Sequence, residues 1–323
     1  MGRPVRLRDF VEDHDGWLYS VATYDNDPLI GCLLRYVPDP TGERLRTDGT
    51  RYRKLSFEEA YRLVEEKKPA YSGLVQRVPL EDLRRILKPE EEVGAVCARN
   101  PRVARLISRF DLPAGSYGCT GSLLCGLEHA GSDIDLVMYG DAWFEARRQL
   151  REAIRRGELQ EIDFGMWRTI YEKRRPAIPF QVFLFHERRK WNRGQFEGTY
   201  FDLLYTRAYE ELPSPPVKKG RSLGRMRLEA VVRDAGHAMD SPAVYEVEHR
   251  DVHRVLSFTH TYAEQAREGE VIQACGVCEE LNGERWLVVG TTRDAPGEYI
   301  VSKTLLEEAG IHYDPGEWVP EIE

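Results

Sequence analysis

The chain has 323 residues, of which 41% are hydrophobic and 31% are charged, a composition typical of globular domains. Its length predicts two or three domains, and its net charge of −8 argues against binding to long duplex DNA, a polyanion. No apolar run reaches the length of about 18 residues that a membrane-spanning helix needs. The basic N-terminus lacks the apolar core of a secretory signal, so we expect a cytoplasmic protein that makes no membrane contact.

Residues 1–90 predict an N-terminal α/β segment. Ser56, with Glu59 three residues later, forms a capping-box pattern and predicts the beginning of a helix. Residues 80–87 are predicted to form a second helix. The strands of this segment are predicted over residues 16–24 and 29–37, on either side of an Asp/Asn/Pro turn.

Residues 91–212 predict an α+β core domain. Apolar residues recur at helical spacing over residues 89–110. A basic loop separates two strand-like runs, 180–185 and 199–205. The two runs and the loop together predict a long hairpin. Further helices are predicted over residues 141–156 and 164–173, with Asp141 and Asp163 as their N-caps.

Residues 213–323 predict a β-rich C-terminal domain, which begins with the Pro-rich linker 213–216. Asn282-Gly283 is typical of a two-residue hairpin turn. Several short strands within about 100 residues favour a small barrel of the OB type. The predicted elements are strands over residues 226–232, 244–247, 271–279 and 285–289, followed by a helix over 301–308.

The most informative stretch runs from Gly121 to Asp135, where a Gly-Ser pair precedes two aspartates by about a dozen residues. Asp133 and Asp135 stand two apart in a strand-like run, so both side chains are expected on one face, about 6.6 Å apart along the strand. Mg²⁺ prefers such oxygen ligands together with substrate phosphates. Backbone N–H groups after a glycine turn suit an anion, although the same residues also occur in ordinary acidic turns.

This stretch resembles the signature of the DNA polymerase beta-like nucleotidyltransferase superfamily, in which Gly-Ser is followed by Asp-hydrophobic-Asp. The resemblance implies a core of mixed sheet with helices on one face, two Mg²⁺ ions and a nucleoside triphosphate. It assigns the metal to Asp133 and Asp135, and the phosphates to Gly121, Ser122 and Ser132. The order of the segments also resembles an archaeal group of predicted nucleotidyltransferases.

The superfamily usually adds a third carboxylate on a later strand, and Asp202 is the candidate here. It stands between large apolar residues in a predicted strand, where burial of an unpaired charge is costly unless a cation neutralises it. Gln181, in the other predicted strand, is an amide and cannot act as the acid. Asp202 facing water on an edge strand is the alternative.

Arg188 and Arg189 fall on the predicted loop between the two strands of the hairpin. We assign them to the triphosphate or the acceptor, because a hairpin between two strands of the site would bring their guanidinium groups close to it. The alternative is an ordinary solvated loop.

These features predict a Mg²⁺-dependent nucleotidyltransferase that moves a nucleoside monophosphate to a hydroxyl of a protein, a small molecule or an RNA end. The alternative is a nucleotide- or RNA-binding regulatory module without catalysis. Asp202 discriminates between them, because three carboxylates favour the enzyme and two favour the module. The sequence leaves the acceptor and the preferred base open.

Overall fold

The computed structural model describes residues 3–212, 219–292 and 295–313. The chain forms two compact units, the first from Met1–Glu161 and Asn192–Pro216 and the second from Ile162–Trp191 and Val217–Glu323. The predicted linker at residues 213–216 lies outside the described residues. Within the described ranges, no helix is both long and apolar enough to cross a bilayer.

The first unit begins with an antiparallel sheet, whose strands are β1 (Phe10–Asp13), β2 (Leu18–Val21), β3 (Leu29–Pro38), β4 (Arg44–Leu45), β5 (Arg51–Lys54), β6 (Gln76–Pro79) and β7 (Leu83–Leu87). They lie in the order β4-β5-β3-β2-β1-β7, and β6 also pairs with β3. Helix α1 (Phe57–Lys67) begins after Ser56, and its capping box with Glu59 is confirmed. The helix predicted over 80–87 is wrong, because Leu83–Leu87 pairs with β1 as a strand.

The rest of the first unit contains α2 (Pro89–Arg99), α3 (Pro101–Ile107), β8 (Tyr117–Cys119), α4 (Gly121–Cys125), β9 (Ile134–Tyr139), α5 (Asp141–Arg155), β10 (Arg193–Phe196) and β11 (Thr199–Thr206). The strands lie in the order β10-β11-β9-β8, with β9 and β11 parallel, so the sheet is mixed as predicted. The helical stretch predicted over 89–110 is interrupted, because Asn100 caps α3 and Pro101 begins it. Gly140, not Asp141, is the N-cap of α5.

The second unit contains a helix pair, α6 (Phe164–Arg174) and α7 (Phe180–Lys190). Asp163 caps α6 as predicted, because its carboxylate accepts a hydrogen bond from Met166 N. The strand predicted over 180–185 is wrong. Apolar side chains alternate with Gln181 at the start of this segment, but burial then recurs every three or four residues, which is a helical period. The buried residues of α7 are Phe180, Val182, Phe183, His186, Glu187 and Lys190.

The β-rich part of the second unit contains β12 (Arg221–His237), β13 (Ala243–Glu248), β14 (Arg254–Ser257), β15 (Val271–Leu281), β16 (Glu284–Val289), β17 (Tyr299–Ser302) and helix α8 (Lys303–Glu308). Its strands lie in the order β12-β13-β14-β16-β15-β17, and β12 also pairs with β15. Pair β14–β16 is parallel. The hairpin at Asn282-Gly283 is confirmed, with both residues at positive φ, 54° and 82°.

A buried ionic cluster joins the start of the chain to the second sheet of the first unit. The Arg6 guanidinium lies 2.9 Å from Glu90, with both side chains only 2% exposed. It stacks between Tyr139 and Tyr209, with its central carbon 3.6 and 3.8 Å from the ring centres. Each tyrosine hydroxyl donates to Glu90 at 2.7 Å. Removing one member would therefore leave a buried charge without its counterion.

We expect Glu90→Gln to lower the free energy of unfolding by about 3–5 kcal/mol, because it leaves the buried Arg6 cation uncompensated. Urea-induced unfolding followed by circular dichroism measures the change. Glu91→Gln is the matched control, because Glu91 is the next residue of the same helix and is exposed. Equal stabilities for the two variants would show that the cluster contributes little.

His186 is a buried histidine that the fold holds in its neutral form. One ring nitrogen, Nδ1, lies 2.7 Å from Val182 O, and the other accepts a hydrogen bond from Ser302 N at 2.9 Å. The first contact needs a protonated Nδ1 and the second an unprotonated Nε2, so both are satisfied by one neutral tautomer. Burial lowers the pKa of His186 to about 3.

Lowering the pH from 7 to 5 is therefore expected to destabilise the second unit through His186. Across this range the unfolded chain takes up a proton near the ordinary histidine pKa of about 6.5, whereas the folded chain does not. The loss at pH 5 amounts to about 2 kcal/mol. Urea midpoints at pH 5, 6 and 7 should show a flatter dependence for His186→Gln. The control His260→Gln, at an exposed histidine, should show the same pH dependence as the wild type. A pH dependence of His186→Gln that runs parallel to that of the wild type would contradict the neutral, buried state of His186.

Candidate active site

The two aspartates of the motif lie at the start of β9. Asp133 immediately precedes the strand and is exposed, Asp135 is half-buried within it, and Ile134 between them is buried. This burial pattern follows the two-residue alternation of a strand, which puts the carboxylates on the same face. The local prediction for this pair therefore agrees with the structure.

The Gly-Ser turn packs directly against the second aspartate. Gly121 has a φ of +68°, and a Cβ added to it would come within 2.9 Å of Asp135 Oδ2. A glycine thus allows both the left-handed backbone and the close approach of the carboxylate. Ser122 Oγ lies 3.3 Å from Ser132 Oγ, which also accepts a hydrogen bond from His129 N. The turn, Ser132 and Asp135 are brought together as the sequence predicts.

Asp202 lies directly beside Asp135 in the sheet. Strand β11 runs parallel to β9, and the register pairs Asp202 with Asp135. The next strand, β10, pairs Arg193 with Asp202. Asp135, Asp202 and Arg193 therefore form one row across three strands, on one face of the sheet.

Both oxygens of the Asp202 carboxylate accept hydrogen bonds from protein groups. Arg193 Nε donates to Oδ1 and the Tyr200 hydroxyl donates to Oδ2, each at 2.6 Å. Asp202 is 7% exposed and Arg193 is 5% exposed, so the pair is buried. The sequence places Arg193 in the same basic loop as Arg188 and Arg189 but does not identify it as the partner of Asp202, nine residues later.

The donor set of this row fits Mg²⁺, which prefers carboxylate oxygens. A carboxylate oxygen has two lone pairs, so a hydrogen bond from Arg193 or Tyr200 still leaves capacity for a metal. Among the described residues, no three His, Cys, Asp or Glu side chains stand together as a ready metal cluster. Mg²⁺ usually binds through one or two carboxylates with substrate phosphates and water, so such a cage is not required.

Arg188 and Arg189 do not lie on a hairpin loop, so that part of their prediction is wrong. Both belong to the last turn of α7 in the second unit. Arg189 forms two hydrogen bonds to Glu270, at 2.7 and 2.9 Å, which gives its guanidinium a structural partner within that unit. The hairpin beside the candidate site is formed by β10 and β11 instead. A role of either arginine in phosphate binding stays a prediction.

The N-terminal segment and its sheet contact the Gly-Ser turn and the helix that follows it. Thr120, just before the turn, donates a hydrogen bond from its hydroxyl to the carbonyl of Arg8 at 2.7 Å. Helix α4 contributes Leu124 and Cys125 to a core shared with that sheet, and burial raises the pKa of the Cys125 thiol. The other members of this core are Phe10, Leu18, Tyr36, Tyr52, Leu87 and Leu127.

Comparison with known proteins identifies the family of this chain. Residues 103–192 match the family described as the nucleotidyltransferase domain. An uncharacterised protein of the archaeon Methanocaldococcus jannaschii is 35% identical over 337 aligned residues, which cover 93% of this chain and 99% of the relative. No solved structure matches the chain significantly. The chain belongs to the polymerase beta-like nucleotidyltransferase family, as the motif predicts.

We expect Gly121→Ala to weaken nucleotide binding by more than its loss of stability alone would explain. A side chain at positive φ costs about 1–2 kcal/mol, and here the added Cβ also pushes against the Asp135 carboxylate. Gly157→Ala is the matched control, because Gly157 has a φ of +73° with nothing within 4 Å of an added Cβ. Thermal melting should report similar losses for both variants, whereas calorimetric titration of ATP with Mg²⁺ should report weaker binding for Gly121→Ala alone. Equal nucleotide affinities would contradict the close contact.

Proposed function

We propose that this protein is a Mg²⁺-dependent nucleotidyltransferase that moves a nucleoside monophosphate from a nucleoside triphosphate to a hydroxyl acceptor. The observation that carries the proposal is the register of β9 and β11, which sets Asp202 beside Asp135. The close approach of Gly121 to the same carboxylate supports it, because phosphate-binding and metal-binding groups then share one site.

In the proposed reaction, a bond forms between the acceptor oxygen and the α-phosphorus, the bond from the α-phosphorus to the oxygen that bridges to the β-phosphate breaks, pyrophosphate leaves, and the proton of the acceptor hydroxyl passes to solvent. Asp133, Asp135 and Asp202 would hold the metal ions. When bound, the metal supplies charge stabilisation at the attacking and leaving oxygens. Gly121, Ser122 and Ser132 would orient the phosphates, and Asp202 would help to activate the acceptor hydroxyl.

Arg193 and Tyr200 would act as positioning residues for Asp202. Their two hydrogen bonds fix the carboxylate against rotation, and the Arg193 cation offsets the repulsion between Asp202 and Asp135 when no metal is bound. A fixed carboxylate needs no reorganisation when the transition state forms, which is the main way that such sites stabilise developing charge.

A nucleotide- or RNA-binding module without catalysis is the second candidate. It is favoured by the same two hydrogen bonds, since Asp202 then has a structural role that needs no metal. We also infer that the sheet of the second unit is a small OB-type barrel, because its pairings run from β12 through β13, β14, β16 and β15 back to β12. On the β13 face, however, Glu246 and Glu248 pair with arginines, a charge pattern that does not favour RNA.

Three variants separate catalysis from binding. Asp135→Asn should weaken Mg²⁺-dependent binding of the triphosphate at least tenfold, because a metal-binding charge is lost. Asp202→Asn should keep most of that affinity and slow label transfer at least about 100-fold, because it removes a preorganised group. Asp111→Asn, at an exposed aspartate of the same unit, is the control. Binding is measured by calorimetry, and transfer by following α-labelled nucleotides into a cell extract.

The two candidate functions give different outcomes. Label transfer by the wild type that disappears with Asp202→Asn supports the transferase. Tight nucleotide binding without label transfer, unchanged in Asp202→Asn, supports the binding module. Absence of Mg²⁺-dependent binding of any of the four ribonucleoside triphosphates by the wild type would overturn both the transferase and the nucleotide-binding form of the module.

A further inference from the structure

Arg35 occupies a β-bulge in the N-terminal sheet. Strand β2 pairs Leu18 with Tyr36 and the next residue, Tyr19, with Leu34, so Arg35 is an extra residue in β3 without a partner on β2. A bulge of this kind bends the strand and re-aims a side chain, and it recurs next to active sites. Nothing in the local sequence required a bulge at this position.

The bulge changes which face of β3 the neighbouring side chains occupy. Cys32, Leu34 and Val37 all pack into the core between the sheet and α1. Tyr36 packs into the opposite core, with Leu124 and Cys125 of α4. The interval from Leu34 to Val37 therefore contains one extra residue, which puts Tyr36 in the core beneath the Gly-Ser turn and leaves Arg35, beside it, outside both cores.

The Arg35 guanidinium interacts electrostatically with the candidate site but makes no hydrogen bond to it. It stacks on the Phe57 ring, with its central carbon 4.4 Å from the ring centre. Its side chain makes no hydrogen bond or ion pair with the described residues. Burial lowers the pKa of Arg35, and the charges of Tyr36 and Asp135 oppose that shift, so the Asp135 carboxylate is within electrostatic range.

We propose that Arg35 is a triphosphate-binding residue of the nucleotidyl-transfer site, contributed by the N-terminal sheet. A half-buried guanidinium with unused donors next to an acidic site lacks a ligand, and a phosphate is the anion that its planar fork fits best. Stacking on Phe57 holds the fork in place before the ligand arrives. The assignment rests on the proposed function, because it takes the triphosphate as the ligand of this site.

The binding test uses Mg²⁺ with inorganic tripolyphosphate, which removes any dependence on the base, together with Mg²⁺–ATP and with AMP. Arg35→Gln removes the charge, and Arg35→Lys keeps the charge but loses the planar fork. Arg62→Gln is the matched control, because Arg62 is an exposed arginine on the adjacent α1. Calorimetry gives the affinities, and circular dichroism gives the melting temperature of each variant.

Arg35→Gln should bind Mg²⁺–tripolyphosphate and Mg²⁺–ATP about 10- to 100-fold more weakly, the effect of losing a charge-assisted pair of hydrogen bonds. Arg35→Lys should lose less, and AMP binding should change little. The melting temperature should stay within about 2 °C of the wild type, since the guanidinium makes no hydrogen bond that holds the fold together.

Three other results would each contradict the assignment, and each would identify a different reason. Equal affinities for Arg35→Gln and Arg62→Gln would overturn the role of Arg35 and leave the nucleotide site intact. A lower melting temperature in both Arg35 variants, with a proportionate loss of AMP binding, would make Arg35 structural. A wild type that binds neither Mg²⁺–tripolyphosphate nor any triphosphate would overturn the proposed function itself, before any variant is compared.

Discussion

The parallel pairing of β9 with β11 is the constraint on which the candidate site depends. In this register Asp202 lies opposite Asp135, and a slip of one residue would turn Asp202 to the other face of the sheet. Two features oppose such a slip. Phe201 and Leu203, on either side of Asp202, are fully buried on the opposite face, and the Trp143 indole donates a hydrogen bond to the carbonyl of Leu203.

The same register creates an electrostatic problem that the surrounding residues reduce. Two carboxylates on adjacent strands repel each other. Arg193 on β10 offsets one of them directly, and Arg35 on β3 acts on the other from the N-terminal sheet. These two cations let the fold tolerate the neighbouring carboxylates.

Local features of the candidate site could be predicted from the sequence, and the family resemblance added Asp202 from a distant strand, whereas the other long-range features could not be predicted. The spacing of Asp133 and Asp135, the glycine turn and the caps at Ser56 and Asp163 depend on residues at most a few positions apart. The strand prediction for segment 180–185 is wrong, because its first residues alternate as a strand would and only the burial pattern of the folded helix shows the helical period. A short apolar run does not distinguish the two by itself.

Arg193 and Arg35 show why the other residues of the candidate site could not be predicted from the sequence. Arg193 acquires its role only when β10 and β11 pair, and Arg35 only because a bulge in β3 breaks the strand alternation. Neither the pairing of β10 with β11 nor the bulge in β3 has a local sequence signal that distinguishes it from an ordinary strand. Register and bulges depend on tertiary packing, which a one-dimensional pattern does not encode.

The site also extends beyond the segment that resembles known nucleotidyltransferases. The family match covers residues 103–192 and therefore contains the Gly-Ser turn and the first two aspartates, but it ends before Arg193 and Asp202. Arg35 and the core beneath α4 come from the other side of the match. The buried cluster of Arg6 and Glu90 then ties β9, through Tyr139, to the beginning of the chain. A fragment limited to the matched residues would thus keep the motif but lose Asp202, its partner Arg193 and the N-terminal sheet that packs against α4.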